Sequence, residues 1–198
     1  NKNLSIIINC AGITGSIEKF KNCKFENWQK VINTNFLGVT LMVQLFIRYL
    51  RSKKKGTIIQ LSGGGATQAL HCLSAYSASK TAIIRFMENI SLEERKINFY
   101  SIAPGTIITN LSKKVHKSGP KKLGKIFFNK LNKKLILGGD DIKKSFELIK
   151  TLIDNNYKNL SGTLLSSIWD DRNYIFSNKV DYDMFKLRRV DGKRIKIK

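Results

Sequence analysis

The sequence predicts an α/β fold: a doubly wound parallel sheet with helices on both faces. Two observations lead to this fold class. Short apolar segments alternate along the chain with longer helical ones, which is the order found in parallel sheets. Several of the short segments are apolar without alternation, as strands are when both faces of their sheet are covered.

Four segments have the length and composition of strands. They are LSIIIN (Leu4 to Asn9), TIIQL (Thr57 to Leu61), INFYSIA (Ile97 to Ala103) and GTLLSSIW (Gly162 to Trp169). Three helical stretches separate them: Trp28 to Arg51, Tyr76 to Arg95, and Asp141 to Asn155. We therefore expect one domain over residues 1–198, built as repeated strand–helix units.

The first of these helices contains FLGVTLMVQLFIRYL, which is apolar on nearly all sides. A helix on a sheet needs only one apolar stripe, so the second face predicts a partner subunit. The segment 111–139 is long, lysine-rich and weakly patterned, which indicates a mobile substrate loop or a small insert over a site. Residues 178–198 form a basic tail that we expect to be loosely ordered.

The formal net charge of +22 has two interpretations. A basic chain is typical of proteins that bind nucleic acid or anionic membranes. Here the excess is mainly lysine, scattered among many Asn and Ile residues, as an AT-rich coding sequence would also produce. Because no helix-turn-helix, zinc finger or aromatic RNA-binding motif accompanies the charge, we favour the compositional interpretation and expect no nucleic-acid or membrane partner.

The cysteines show no metal-binding or redox spacing. Cys10, Cys23 and Cys72 form an odd set without a C-x-x-C pair, which favours reduced thiols in a cytoplasmic protein. His71 and His116 lack nearby Cys or acidic partners, so we propose no metal site. We also find no apolar run of about 18 to 20 residues and no signal peptide.

The stretch SAYSASK predicts a chemical site. Tyr76 and Lys80, at i and i+4, lie on one face of the helix that they begin, and Ser74 is suited to cap it. A lysine ammonium near a phenol lowers the phenol's pKa below its usual value of about 10. Such a tyrosine exchanges protons with an alcohol or carbonyl near neutral pH. By itself, however, Y-x-x-x-K is common in ordinary helices.

Four further motifs supply the missing context. They are NCAG (Asn9 to Gly12), NTNFLG (Asn33 to Gly38), LSGGGA (Leu61 to Ala66) and APGTIITN (Ala103 to Asn110). Their order and spacing resemble the short-chain dehydrogenase/reductase family, and most generally its 3-oxoacyl-carrier-protein reductase-like members. The resemblance extends from Leu4 to about Asp170 and implies a Rossmann-type sheet.

The resemblance implies a nicotinamide-dependent oxidoreductase, with NAD or NADP as cofactor, that interconverts a ketone and a secondary alcohol. Tyr76 would be the general acid/base, and Lys80 would hold the nicotinamide ribose and lower the pKa of Tyr76. Asn35 would anchor a water in the proton relay. The resemblance also points to a homo-oligomer, a dimer or tetramer, through Phe36 to Arg51 and Tyr76 to Arg95.

Two further motifs would contact the cofactor. By resemblance, Asn9, Ala11 and Gly12 brace the sheet and line the adenosine side, with Cys10 in place of a usual asparagine. Pro104, Gly105 and Thr109 match the loop at the nicotinamide end.

The chain departs from the family at the catalytic serine. That serine usually lies thirteen residues before the tyrosine, where this chain has Gly63. Ser62 is one step earlier, and one step along a strand points to the opposite face. The glycines that follow permit unusual backbone paths, so Ser62, or a backbone N–H of residues 63–65, would reach the substrate oxygen.

A second departure concerns the start of the chain. No glycine-rich, pyrophosphate-binding turn precedes Leu4, so we expect about two strand–helix units of the family fold to be absent. This leaves two alternatives to a catalyst open: a non-catalytic product with the same fold, and a basic binding module for anionic partners.

Overall fold

The computed structural model describes residues 4–52, 56–177 and 179–188. Its centre is a parallel sheet of four strands in the order β1-β2-β3-β4. The strands are β1 (Ile6–Asn9), β2 (Gly56–Leu61), β3 (Ile97–Ala103) and β4 (Thr163–Ser166). These bounds confirm the predicted strands, although the first and last are shorter than the apolar segments that indicated them.

Eight helices accompany the sheet within the described ranges. They are α1 (Phe25–Ile32), α2 (Gly38–Arg51), α3 (Ser74–Glu93), α4 (Asn110–Lys117), α5 (Pro120–Leu123), α6 (Lys125–Ile136), α7 (Ile142–Asn155) and α8 (Arg172–Ile175). All three predicted helices are confirmed: the first as α1 and α2 together, the second as α3 and the third as α7. Their ends differ from the predicted ones by at most three residues.

The sheet is covered on both faces, as its unalternating strands predicted. In β2, Ile58 packs in a cluster with Val43 of α2 and Met87 of α3. The next residue, Ile59, packs in a second cluster with Leu148 of α7. Successive strand residues point to opposite faces, so α2 and α3 cover one face of the sheet and α7 covers the other.

The helices α1 and α2 form one continuous helix through a π-helical turn at Asn33–Leu37. This helix, Phe25–Arg51, is the one described helix that is long and apolar enough to cross a membrane, by length and composition only. The count of uninterrupted apolar runs did not reveal it. In the fold, Val39, Val43 and Leu50 on one of its faces are buried in the core.

The opposite face of α2 carries an apolar stripe. Leu37, Leu41 and Leu45 recur every four residues and are 49%, 55% and 66% exposed. They therefore lie on one side of the helix. The prediction that this helix is too apolar for a single packing surface agrees with these exposures.

One of the two sequence interpretations predicted a mobile loop over residues 111–139. That interpretation is wrong, because the segment is mostly helical. It holds most of α4, then α5 and α6, with turns at Gly119 and Gly124, whose φ angles are +79° and +77°. Its core contacts are spread over three short helices, with Val115, Leu123 and Leu131 buried in one cluster. The helices α4 and α5 have only eight and four residues, which is too short to give a recognisable sequence period.

Part of the predicted tail is anchored to the domain. Residues 178 and 189–198 lie outside the described residues. Within 179–188, Arg188 forms an ion pair with Glu88 of α3 at 2.7 Å, and the Glu88 side chain is only 8% exposed. The expectation of a loosely ordered tail is therefore wrong for this part.

Candidate active site

A cavity of about 1360 Å³ opens at the carboxyl ends of β1, β2 and β3. Parallel strands place these ends at one edge of the sheet, where α/β proteins bind ligands. Seven of the residues predicted for the site lie on the cavity wall: Gly12, Ser62, Tyr76, Lys80, Pro104, Gly105 and Thr109. The other three, Asn9, Ala11 and Asn35, lie outside the wall.

The helix α3 begins at Ser74, but Ser74 is not its cap. The residue before it, Leu73, occupies the cap position, and no side chain bonds the free N–H groups there. The Ser74 hydroxyl instead accepts a hydrogen bond from the indole N–H of Trp28 at 3.2 Å. This bond ties the start of α3 to α1, so the predicted capping role is wrong.

Lys80 joins α3 to the end of β2. Its Nζ donates a hydrogen bond to the backbone oxygen of Leu61 at 3.0 Å and lies 5.8 Å from the centre of the Tyr76 ring. Lys80 is only 5% exposed. The ammonium therefore lies beside Tyr76, as the spacing predicted, but it is bonded to the strand and not to the phenol.

Burial controls the pKa values of this pair. Burial lowers the pKa of Lys80 to about 8, against an opposing effect of the nearby Cys10 thiol. Burial raises the pKa of Tyr76 above its usual value. The sequence predicted a lowered pKa for Tyr76, which is wrong. The i, i+4 spacing indicates the nearby lysine charge, but it does not indicate how much water the fold removes from around the phenol. In the protein alone, Tyr76 keeps its proton at neutral pH.

Asn35 is fully buried and connects three segments. Its Nδ2 donates to the backbone oxygen of Ile13 at 2.8 Å and to Ser79 Oγ at 3.0 Å. Its Oδ1 accepts from the Ile13 N–H at 2.8 Å. Asn35 lies in the π-helical turn and holds the loop after β1 against α3. Its side chain is thus used for structure, and Ser79 is a partner that sequence reasoning missed.

The turn after β1 brings a small residue beside the lysine. The N–H of Ala11 bonds to Asn9 Oδ1 at 3.0 Å, which closes the turn. A Cβ added at Gly12 would lie 3.5 Å from Lys80 Nζ and 3.6 Å from Asn35 Oδ1. Gly12 therefore lies next to both of these groups. Cys10 is exposed, free and on the cavity wall.

Gly63 is the residue that faces Tyr76. A Cβ added there would lie 2.5 Å from Tyr76 Oη, so the absence of a side chain makes room for the phenol. Ser62 stays in line with the sheet, because its N–H donates to the Ile102 oxygen at 2.7 Å. It is 7% exposed, and its Oγ has no hydrogen-bond partner among the described residues.

The loop after β3 is held from several sides. The Pro104 oxygen accepts from Ser145 Oγ at 3.4 Å. Thr109 caps α4: its Oγ1 accepts from the Ser112 N–H at 3.3 Å, and its own N–H donates to Ser112 Oγ at 2.9 Å. Thr109 therefore contributes to the cavity wall while its hydroxyl bonds within the protein.

Asp140 is a site residue that the sequence did not reveal. Its Oδ2 accepts from the Thr106 N–H at 2.7 Å, and its own N–H donates to the Thr106 oxygen at 2.9 Å. Its other oxygen pairs with Lys134 of α6. A Cβ added at Gly105 would lie 2.7 Å from Asp140 Oδ2, so this contact requires glycine there. In the sequence GGDD (residues 138–141), such an aspartate is typical of a turn and does not indicate a site.

The described parts of the chain contain no group of three His, Cys, Asp or Glu side chains that could hold a metal ion.

Comparison with known proteins identifies related sequences. A family model for short chain dehydrogenases matches residues 1–119. An uncharacterized oxidoreductase of Schizosaccharomyces pombe is 32% identical over 60% of this chain and 47% of its own length. A 3-oxoacyl-[acyl-carrier-protein] reductase of Buchnera aphidicola is 33% identical over 57% of this chain and 47% of its own length. The chain thus spans about half the length of the curated relatives it matches.

Solved structures share the fold at low identity. A short chain dehydrogenase/reductase of Saccharomyces cerevisiae matches with a TM-score of 0.77 and 18% identity, over 93% of this chain and 70% of that chain. An actinorhodin polyketide ketoreductase solved with NADPH matches with a TM-score of 0.71 and 20% identity, over 82% and 65% of the two chains. These matches confirm the predicted fold class.

We expect Asp140→Ala to lower the free energy of unfolding by about 1–3 kcal/mol, because it removes a buried acceptor and the partner of Lys134. Asp154→Ala is the matched control, since Asp154 pairs with Lys150 on an exposed helix face. There we expect a loss of at most about 0.5 kcal/mol. Urea unfolding at pH 7 measures both.

The effect of Asp140→Ala should depend on pH. Burial tends to raise the pKa of Asp140, but hydrogen bonds from Lys134 and Thr106 outweigh it and lower the pKa. A lowered pKa stabilises the fold above the unfolded value of about 3.9, and this stabilisation is lost as the pH falls through the folded value. The difference from wild type should therefore shrink below about pH 4; a constant difference would contradict the charge pair.

Proposed function

Because the chain belongs to the short chain dehydrogenase family, we propose that it is a nicotinamide-dependent oxidoreductase that interconverts a ketone and a secondary alcohol. The observation that carries this proposal is the position of Tyr76 and Lys80. Both are on one face of α3, at the cavity where the parallel strands end. The family uses NAD or NADP, and solved relatives include an NADPH complex and an NAD⁺ complex.

The residues present fit the nicotinamide end of such a cofactor. A lysine ammonium has three N–H donors, and Lys80 uses one of them on Leu61, so two are free for ribose hydroxyls. Pro104 and the exposed Gly105 both line the cavity, so a nicotinamide ring would lie beside their backbone. Gly12 would contribute to the same pocket, while Asn9 and Ala11 would act by shaping their turn.

Tyr76 would move the proton. A nicotinamide held by Lys80 would supply the hydride chemistry at the substrate carbon. In the reducing direction Tyr76 Oη donates its proton to the carbonyl oxygen, and the charged Lys80 stabilises the phenolate that remains. Burial raises the pKa of Tyr76, so the phenol holds the proton that the reducing direction requires at neutral pH.

Asn35 would act through its backbone. Its side-chain amide is engaged by Ile13 and Ser79, so a proton-relay water would have to bind its main-chain carbonyl. This carbonyl belongs to the π-helical turn, which departs from the regular α-helical bonding pattern.

The substrate oxygen needs a second hydrogen-bond donor beside Tyr76. Ser62 has a buried hydroxyl without a partner among the described residues and lines the cavity. Such a hydroxyl is costly to leave unpaired, and a substrate oxygen would satisfy it. We assign this role to Ser62, with the backbone N–H groups of residues 63–65 as the alternative.

We expect Tyr76→Phe to lower kcat/KM for ketone reduction by about 10²- to 10⁴-fold, because it removes the proton donor. Tyr100→Phe is the control: it deletes a buried hydroxyl that donates to Tyr157 at 2.7 Å, away from the cavity, so it should lower stability but not activity. Steady-state rates within twofold of wild type for Tyr76→Phe would exclude this role.

In the wild type, reduction should decline above about pH 8 as Lys80 loses its charge.

Ser62→Ala tests the second donor. If Ser62 binds the substrate oxygen, kcat should fall by about 10²- to 10³-fold, as for other oxyanion donors. Ser101→Ala is matched, since Ser101 is also buried with an unpartnered hydroxyl in the described structure but does not line the cavity. Equal rates for the two variants would move the role to the glycine N–H groups or Thr67.

We also propose that the protein forms a homo-oligomer through α2 and α3. The support is the stripe of Leu37, Leu41 and Leu45, since an exposed apolar patch of this kind usually marks an interface. A two-fold symmetric contact would bury each stripe against its copy.

We expect Leu45→Lys to dissociate this oligomer, because it places a charge at the centre of the contact. Ile136→Lys is the control, since Ile136 is 75% exposed but lies on α6. Sedimentation velocity at tens of micromolar should show a smaller species for Leu45→Lys only. A wild-type monomer would refute the proposal.

A further inference from the structure

The side of the cavity next to Tyr76 is apolar. Tyr76 packs with a cluster whose buried members include Leu73, Val115 and Leu131. Leu73, Val115 and Leu131 also line the cavity, together with the half-buried Phe127. A ligand that reaches Tyr76 therefore lies against hydrocarbon contributed by α4 and α6.

The helix α6 adds lysines to this apolar wall. Phe127, Lys130, Leu131 and Lys134 follow the i, i+3, i+4, i+7 spacing of one helix face, and all four line the cavity. Lys133 lines it as well. Apolar and cationic side chains thus alternate along the same wall.

Of the three lysines on this wall, two are not neutralised by any acidic residue that the structure describes. Two acidic side chains line the cavity in the described structure, Asp140 and Asp170. Asp140 is paired with Lys134, and Asp170 accepts the Ser166 N–H. Lys130 and Lys133 have no ion pair with any described acidic residue, so both charges are available to a ligand.

The apolar lining continues to the mouth of the cavity. Five large hydrophobic side chains there are 62% to 79% exposed: Leu137, Ile142, Phe146, Trp169 and Met184. Exposed apolar side chains that continue a catalytic cleft are typical of a binding groove. The groove therefore extends well past the position at which Tyr76 would act.

We propose that the substrate is an anionic amphiphile: an apolar chain that lies along α6 and the mouth, with a carboxylate or phosphate at Lys130 and Lys133. Its role as a substrate rests on the proposed oxidoreductase function, but its binding does not. The apolar wall alone would accept any hydrophobic ketone, and the lysines select the charged ones. Carboxylate and phosphate share the chemistry that lysine recognises.

Calorimetric titration tests the apolar half of this proposal. The probes are octanoate, decanoate and dodecanoate, each below its micelle concentration. Burial of each added methylene should tighten binding by up to about fourfold. Affinities that do not change with chain length would overturn the proposal.

The charged half is tested with variants and with uncharged probes. Lys130→Gln combined with Lys133→Gln should weaken decanoate binding by about three- to tenfold. Lys121→Gln combined with Lys125→Gln is the matched control, because it removes the same charge from residues outside the cavity wall. Equal losses in the two double variants, or equal binding of 1-decanol and decanoate, would overturn it.

Dodecyl phosphate compared with dodecanoate identifies the preferred head group. Circular dichroism and thermal unfolding of each variant confirm that the fold is retained. Since the titrations involve no turnover, a protein that binds decanoate as expected but reduces no ketone would refute the oxidoreductase proposal and leave this one intact.

Discussion

Backbone polar groups at the carboxyl edge of the sheet are the constraint on which this site depends. Chain segments that leave a sheet lose their strand partners, and buried N–H and C=O groups must then bond elsewhere. Asn35 satisfies both groups of Ile13, Lys80 satisfies the oxygen of Leu61, and Asp140 satisfies Thr106. The side chains that meet this requirement also bring α3 and the loop after β3 to the cavity.

Of the buried side-chain atoms that lack a partner in the described structure, Ser62 Oγ is the one whose residue lines the cavity. Tyr76 Oη lies where Gly63 leaves space for it. Burial raises the pKa of Tyr76, so the phenol keeps its proton. Burial lowers the pKa of Lys80, so the ammonium loses its proton more readily. Under the proposed function, a substrate oxygen would offer both hydroxyls a partner.

The two sides of the cavity have different compositions, which separates their roles. On one side, Gly12 lies beside Lys80 and Gly105 lies beside Asp140. Along α6 the wall consists of apolar side chains and three lysines, of which Lys130 and Lys133 have no ion pair with a described acidic residue. The net charge of +22, scattered along the sequence, thus has a local consequence at this wall that composition alone does not indicate.

The sequence by itself determined the order of strands and helices and the placement of Tyr76, Lys80 and Asn35 on helices, because these depend on local period and spacing. Only the tertiary structure decided the direction of the Tyr76 pKa, the contact between Asp140 and Thr106, and the helical form of residues 111–139. Burial and pairing between distant segments depend on every neighbour that packs around a group. Ser62 illustrates this limit: its sequence position left open whether its side chain or the N–H groups of residues 63–65 would serve. The structure adds that Ser62 lines the cavity and that its hydroxyl has no partner among the described residues.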